Sequence, residues 1–130
     1  MNTALPEADR IAAAAAYIDA LVSHDAANVP FAPGCTRVEM GLKTGFSGEH
    51  LRRSLNRGLQ YRVIKSATEP EFTVAGDEVR ARFELSTKPT LAGRRVGARI
   101  DETFIIPATS DTGCAEIHHI RAGIRPFLTT

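Results

Sequence analysis

The stretch of sequence that decides the fold is Gly97–Pro107, GARIDETFIIP. Branched and aromatic side chains dominate it, a glycine opens it and a proline closes it, so the pattern predicts one long β-strand. Alternation sorts its side chains into two faces: Arg99, Asp101, Thr103 and Ile105 on one, and Ile100, Glu102, Phe104 and Ile106 on the other. A carboxylate in mid-strand is costly on a buried face, so Asp101 lies either in water or in a polar pocket. Taken alone, this stretch favours the solvated face.

Helical patterns precede this strand. Pro6–Asp9 places a proline and two acidic residues where a helix begins. An apolar stripe with a spacing of about 3.6 residues follows: Ile11, Ala14, Ala15, Ile18, Leu21 and Val22. Tyr17 lies at the edge of that stripe. Ala26–Phe31 is predicted as a short second helix, and a second main helix is predicted between its N-cap, Ser47, and its stop, Gly58.

Strands are predicted for most of the remaining chain. Their ranges are Cys35–Met40, Leu59–Ser66, Glu71–Ala75, Glu78–Thr87 and Cys114–Arg125, with residues 41–48 as a loop and Gly76-Asp77 as a hairpin turn. Helices followed by a run of strands predict a single α+β domain over residues 1–130. We expect a cone-shaped, curved antiparallel sheet wrapped around two or three N-terminal helices, which leaves a conical pocket for a small molecule.

Composition narrows the classes of function. A formal net charge of +1 gives no reason to expect nucleic acid or an anionic membrane as a partner. Two cysteines, Cys35 and Cys114, are too few for a disulfide framework or a structural zinc site and suit a reduced cytoplasm. The alanine run at residues 12–16 follows acidic residues and is not a signal sequence, and no stretch is apolar enough to span a membrane. No metal and no cofactor are expected.

Three short motifs are considered together because of their order and spacing along the chain. They are Tyr17–Leu21 (YIDAL), Val38–Met40 (VEM) and Ala98–Asp101 (ARID). The first resembles the Tyr-x-x-Ala-Leu of ketosteroid isomerases, the second their Val-Glu-Asp and the third their Ala-x-Ile-Asp. With the order of elements, they make the chain resemble the nuclear transport factor two-like superfamily, in its ketosteroid isomerase and polyketide cyclase (SnoaL-like) branch. The fold this resemblance implies is also called cystatin-like.

The resemblance implies roles for particular residues. Tyr17 and Asp101 would form the pair of donors to a substrate oxygen, with Asp101 neutral because its site is dry. Met40 stands where the family has its catalytic base, and a thioether cannot accept that proton. His118 is the best substitute, because alternation puts it on a strand face with Ile120 and Ala122. The expected lining of the pocket is completed by Met40, Val38, Thr103, Ile120 and Ala122.

Several functions remain open at this point. The ligand would be a small hydrophobic molecule such as a steroid, a phenol or a polyketide-like compound. The protein would be an isomerase or a cyclase that uses His118 or a substrate group as base, or a noncatalytic binding or interaction domain that lacks the base. Epoxide hydrolysis ranks low. Limonene-epoxide hydrolases, which share the fold, carry an Arg-x-Asp pair, and Arg99-Ile100-Asp101 resembles it but lies one strand later in this chain. With Asp101 inward, Ile100, Phe104 and Ile106 would lie on the outer sheet face and predict a homodimer.

Overall fold

The structure, a computed structural model, describes residues 2–128 of the 130-residue chain. The elements are β1 (Thr3–Ala4), α1 (Glu7–Ser23), β2 (Phe31–Glu39), β3 (Leu42–Gly45), α2 (Gly48–Arg57), α3 (Leu59–Arg62), β4 (Ile64–Ala67), β5 (Glu71–Ala75), β6 (Glu78–Leu91), β7 (Arg94–Ile105), β8 (Thr109–Ser110) and β9 (Ile117–Leu128). None of the helices within residues 2–128 has the length and apolar character that a membrane crossing requires.

Seven strands form one curved sheet. Its hydrogen-bonded order is β3-β2-β9-β7-β6-β4, and β5 also pairs with β6. The pairing is antiparallel except between β2 and β9, which run parallel. Strand β1 pairs separately with β8. The α+β fold with a curved sheet against N-terminal helices is confirmed.

Helix α1 packs against the inner face of this sheet. Its buried side chains include Ala14, Ile18 and Leu21 of the predicted stripe, together with Ala13 and Tyr17 beside it. The other members of the stripe, Ile11, Ala15 and Val22, are half-buried. Small alanines let the helix approach the strands closely. The rings of Tyr17 and Phe104 meet edge to face with centroids 5.5 Å apart, so α1 contacts β7 directly near the C-terminal end of that strand.

The predicted facing of β7 was wrong. Ile100, Glu102, Phe104 and Ile106 point into the core, and Asp101 lies on the outer face. Burying three large apolar side chains against α1 stabilises the fold far more than placing one carboxylate in a polar pocket would. Ile100, Phe104 and Ile106, from which the homodimer was predicted, are therefore buried and do not form an outer surface.

Three local predictions also differ from the structure. Residues 41–48, predicted as a loop, contain β3. Ala26–Phe31 forms a turn that leads into β2 rather than a helix, because the backbone carbonyls of Ala26, Ala27 and Val29 accept hydrogen bonds from Arg52 of α2. Leu59–Arg62 is a short helix rather than the start of a strand. Ser47 caps α2 as predicted, accepting from the His50 backbone N–H at 3.0 Å.

A buried arginine ties the start of α1 to the far side of the sheet. The Arg10 side chain is 5% exposed. Its Nε and Nη2 atoms donate to the carbonyl of Ile106 at 2.9 and 2.6 Å, and Nη2 also donates to the carbonyl of Gly76 at 2.7 Å. These bonds join α1 to the β5–β6 turn and to the end of β7.

Arg10→Met should lower the free energy of unfolding by about 2–4 kcal/mol, since it leaves two carbonyls without their charged donor. Urea denaturation measures this loss. Arg53→Met is the control, because Arg53 is exposed on α2, and its effect should stay within about 0.5 kcal/mol. Equal losses in the two variants would contradict the anchoring role of Arg10.

Candidate active site

Asp101 lies on the outer face of the sheet in an ion pair. The Arg80 guanidinium donates to both of its oxygens, at 2.8 and 2.7 Å, and Arg82 lies 3.6 Å away. The hydrogen bonds from Arg80 hold the pKa of Asp101 below its ordinary value. Asp101 therefore carries its charge in a partly exposed position, and the prediction that it is a neutral donor beside Tyr17 was wrong.

Four of the predicted residues, Met40, Asp101, Thr103 and Ala122, line one groove together with Arg80 and Arg121, and the others lie elsewhere. Met40 is 63% exposed in the β2–β3 turn, where its sulfur accepts from the Ile124 backbone N–H at 3.1 Å. His118 is exposed in a separate groove beside Cys114. Val38 and Thr103 belong to the outer face, because they flank Arg121 of β9 in the sheet. Val38, Thr103 and Asp101 were misplaced because the faces of β2 and β7 were assigned from the wrong residue of each alternating pair. Met40 lies in a turn, and His118 lies at the start of β9.

A cavity of about 300 Å³ lies between α1, α3 and the inner face of the sheet. Tyr17 and Ala122 are the predicted site residues that line it. Ile120 faces inward, as predicted, but is fully buried in the core. The lining consists of Tyr17, Leu21, Glu39, Gln60, Tyr61, Val63, Ile64, Leu85, Thr87, Ala98, Ile100, Glu102, Ala122 and Ile124. A mainly apolar wall with a few polar groups is typical of small-molecule sites.

Arg37, a fully buried residue of β2, connects three polar groups of the cavity, those of Tyr17, Glu39 and Tyr61. Its Nη1 donates to the Tyr17 hydroxyl at 3.2 Å, and its Nε lies 3.6 Å from the Glu39 carboxylate. The Tyr61 hydroxyl donates to the same Glu39 oxygen at 2.8 Å. Arg37 is itself held by the Thr44 hydroxyl and carbonyl, both at 3.0 Å. Glu39 is thus a fixed carboxylate at one side of the cavity.

Glu102 is the second carboxyl of the cavity, and it is 3% exposed. Its Oε2 atom has no hydrogen-bond partner among residues 2–128. Burial raises its pKa to about 8; the charge of Glu39 adds to the increase and Arg37 opposes it. At neutral pH, Glu102 is therefore predominantly protonated and can donate a hydrogen bond.

Tyr17 also stays protonated, because burial, with a further contribution from Glu102, raises its pKa well above the ordinary value. The cavity therefore holds a neutral carboxyl and two phenols next to one carboxylate. Two carboxyl groups whose surroundings differ in this way can act as an acid and a base.

Sequence reasoning missed Glu39 and Glu102 by one position each. They directly adjoin Met40 and Asp101, to which the resemblance had drawn attention. The signal that could have found Glu102 was its place between Ile100 and Phe104 on the apolar face of β7, where a carboxyl is even costlier than at Asp101.

Residues 3–124 match the family described as "Domain of unknown function (DUF8021)". The chain belongs to the DUF8021 family. No protein with a curated description matches the sequence of this DUF8021 member.

Solved structures show what the DUF8021 fold is similar to. AclR, a proposed hydroxylase from Streptomyces galilaeus, has a TM-score of 0.65 and 14% identity over 92% of this chain and 91% of its own. A proposed isomerase of the SnoaL-like family from Agrobacterium tumefaciens has a TM-score of 0.62 and 10% identity over 91% and 98%. A type 2 hexachlorocyclohexane dehydrochlorinase has a TM-score of 0.63 and 12% identity over 96% and 94%. These similarities confirm the nuclear transport factor two-like, SnoaL-like fold.

The pKa of Glu102 predicts a pH dependence of stability. The group titrates at about 8 in the folded chain against an ordinary value of 4.5, so its contribution to stability is complete below about pH 4.5 and is lost as pH rises through about 8. Glu102→Gln removes this loss. Relative to wild type, the variant's free energy of unfolding should rise by roughly 2–4 kcal/mol between about pH 5 and pH 9.

Asp101→Asn is the matched control for this measurement. Hydrogen bonds from Arg80 lower the pKa of Asp101 below 3.8, so its contribution is lost only as pH falls through that lower value. Its difference from wild type should be constant between about pH 5 and pH 9. Urea denaturation at a series of pH values tests both variants, and a constant difference for Glu102→Gln would contradict the buried neutral carboxyl.

Proposed function

We propose that the cavity binds a small, mainly apolar molecule through a carbonyl or phenol oxygen that accepts a hydrogen bond from Glu102. The observation that carries this proposal is the buried, unpartnered Oε2 atom of Glu102 in the cavity wall. A buried polar atom without a partner costs about 1–3 kcal/mol, and a ligand oxygen would remove that cost. Fold neighbours named as a hydroxylase, an isomerase and a dehydrochlorinase support the use of the cavity for a ligand.

The pair of hydrogen-bond donors proposed from the resemblance to ketosteroid isomerases thus becomes Tyr17 and Glu102 instead of Tyr17 and Asp101. Glu102 takes the role proposed for Asp101, and Tyr17 keeps its place in the same cavity. A steroid, a phenol or a polyketide-like compound remains the proposed class of ligand. A homodimer and a cytoplasmic location stay predictions.

Glu39 favours a second candidate function, which is proton transfer beside the bound carbonyl. Its carboxylate lines the same cavity and is held by Arg37 and Tyr61. In this reaction Glu39 would remove a proton from the carbon next to the carbonyl while Glu102 stabilises the charge that develops on the oxygen. Glu39 replaces both Met40 and His118 as the proposed base.

The binding proposal is tested with 2-acetylnaphthalene, whose ketone oxygen can only accept hydrogen bonds, and with 2-ethylnaphthalene, which lacks the oxygen. Isothermal titration calorimetry should show tighter binding of the ketone by about 3- to 10-fold at pH 6.5. Glu102→Leu should abolish this preference. Glu102→Gln should preserve it, because the amide keeps a donor.

The pH dependence separates this account from general hydrophobic binding. Wild-type affinity for the ketone should fall as pH rises through about 8, where Glu102 loses its donated proton, whereas the affinity of Glu102→Gln should be constant. Asp101→Asn should behave like wild type, because Asp101 is on the outer face. Equal binding of the two probes by wild type, or a loss in Asp101→Asn, would reject the proposal.

Proton transfer is tested separately. In deuterated buffer, wild type should catalyse deuterium uptake into the methyl group next to the ketone of 2-acetylnaphthalene, followed by NMR. Glu39→Gln should reduce this rate about 10²- to 10⁴-fold, the usual contribution of a positioned base. Binding by wild type without catalysed uptake would leave a noncatalytic ligand-binding domain.

A further inference from the structure

Two neighbouring segments of the chain contribute to the wall of the cavity. Residues 59–66 contain α3 and the start of β4, and residues 87–98 contain the end of the β6–β7 hairpin. Both supply lining residues: Gln60, Tyr61, Val63, Ile64, Thr87 and Ala98. The two segments are joined by the pairing of Ile64 with Thr87 and by a hydrogen bond from the Lys88 backbone N–H to the Val63 carbonyl at 2.8 Å.

These two segments, here called the rim, differ sharply in charge from the rest of the chain. The rim contains five basic residues and no acidic residue. They are Arg62, Lys65, Lys88, Arg94 and Arg95. The rest of the sequence contains eleven basic and fifteen acidic residues. An excess of basic residues in a nearly neutral protein is therefore found in two segments that supply lining residues of the cavity.

Three rim cations, Arg62, Lys65 and Lys88, are sequence neighbours of residues that line the cavity. Arg62 lies between Tyr61 and Val63, and Lys88 directly follows Thr87. The Arg95 guanidinium donates to the Thr87 carbonyl at 2.9 Å. Arg62 and Lys88 are exposed, so they can contact an anionic group at the rim without being desolvated.

The two ends of the cavity therefore suit different chemistry. The inner end presents the buried Glu102 carboxyl, and the rim presents cations. We propose, on the basis of the proposed function, that the ligand is an amphipathic organic acid: an apolar body with a carbonyl or phenol oxygen at the inner end and a carboxylate at the rim. The rim attracts this carboxylate and orients the molecule so that its oxygen enters first.

The test compares 6-acetyl-2-naphthoic acid with its methyl ester, which differ in charge but share the ring and the ketone. In about 10 mM salt at pH 6.5, wild type should bind the acid about 3- to 10-fold more tightly than the ester, the range expected for one or two exposed ion pairs. The preference should disappear in about 1 M salt, because the Debye length there is only about 3 Å and exposed charges are screened from each other.

Substitutions test whether the preference for the acid over the ester depends on the rim cations. Arg62→Gln/Lys88→Gln should remove most of the preference for the acid and leave the affinity for the ester unchanged. Arg53→Gln/Lys43→Gln is the matched control, because it removes the same two charges from exposed positions outside the rim and should keep the preference. Loss of the preference in both double variants would indicate net charge rather than the rim.

The outcomes separate this inference from the function on which it rests. Binding of the ester that depends on Glu102, without any preference for the acid, would overturn the organic acid and leave the proposed function intact. Absence of Glu102-dependent binding of either compound would reject the proposed function itself. Sedimentation of wild type with phosphatidylglycerol vesicles, lost in Arg62→Gln/Lys88→Gln and without preference for the free acid, would assign the rim to a lipid surface and overturn the inference.

Discussion

The buried guanidinium of Arg37 is the interaction on which the polar interior depends. A charge with no exposed surface is tolerated only when hydrogen bonds and an opposite charge compensate for lost water. Arg37 obtains these from Tyr17 of α1, Thr44 of β3 and Glu39 of its own strand. Glu39 in turn holds Tyr61 of α3, so one side chain sets the positions of both helices that cover the cavity.

The state of Glu102 follows from the same network. Its burial disfavours charge, and Glu39, already a carboxylate next to Arg37, raises its pKa further. The fold therefore contains two carboxyls with different tasks: one compensates a buried cation, and the other remains neutral beside an empty volume. An oxygen-bearing apolar ligand suits that arrangement because it supplies both the missing acceptor and the missing packing.

The sequence predicted the fold well because the fold depends on periodicity. The stripe of α1, the Ser47 cap and the Gly76-Asp77 turn are local patterns with direct physical causes. The site was harder to predict, because in a strand a displacement of one residue exchanges the two faces. Short motifs matched Asp101 and Met40, but the apolar residues that alternate with Asp101 decided which face is buried. Arg37 could not be recognised as a buried residue, since its partners Tyr17, Thr44 and Glu39 come from three separate elements.

Glu102 should be a neutral carboxyl inside the cavity at physiological pH, because burial raises its pKa. The most direct measurement is a ¹³C NMR titration of the glutamate side-chain carboxyl carbons, with the Glu102 signal assigned by its disappearance in Glu102→Gln. The account predicts a signal that titrates with a midpoint near 8, shifted upward mainly by burial. A midpoint at or below the ordinary value of 4.5 would show a charged, solvated carboxylate and would contradict the account.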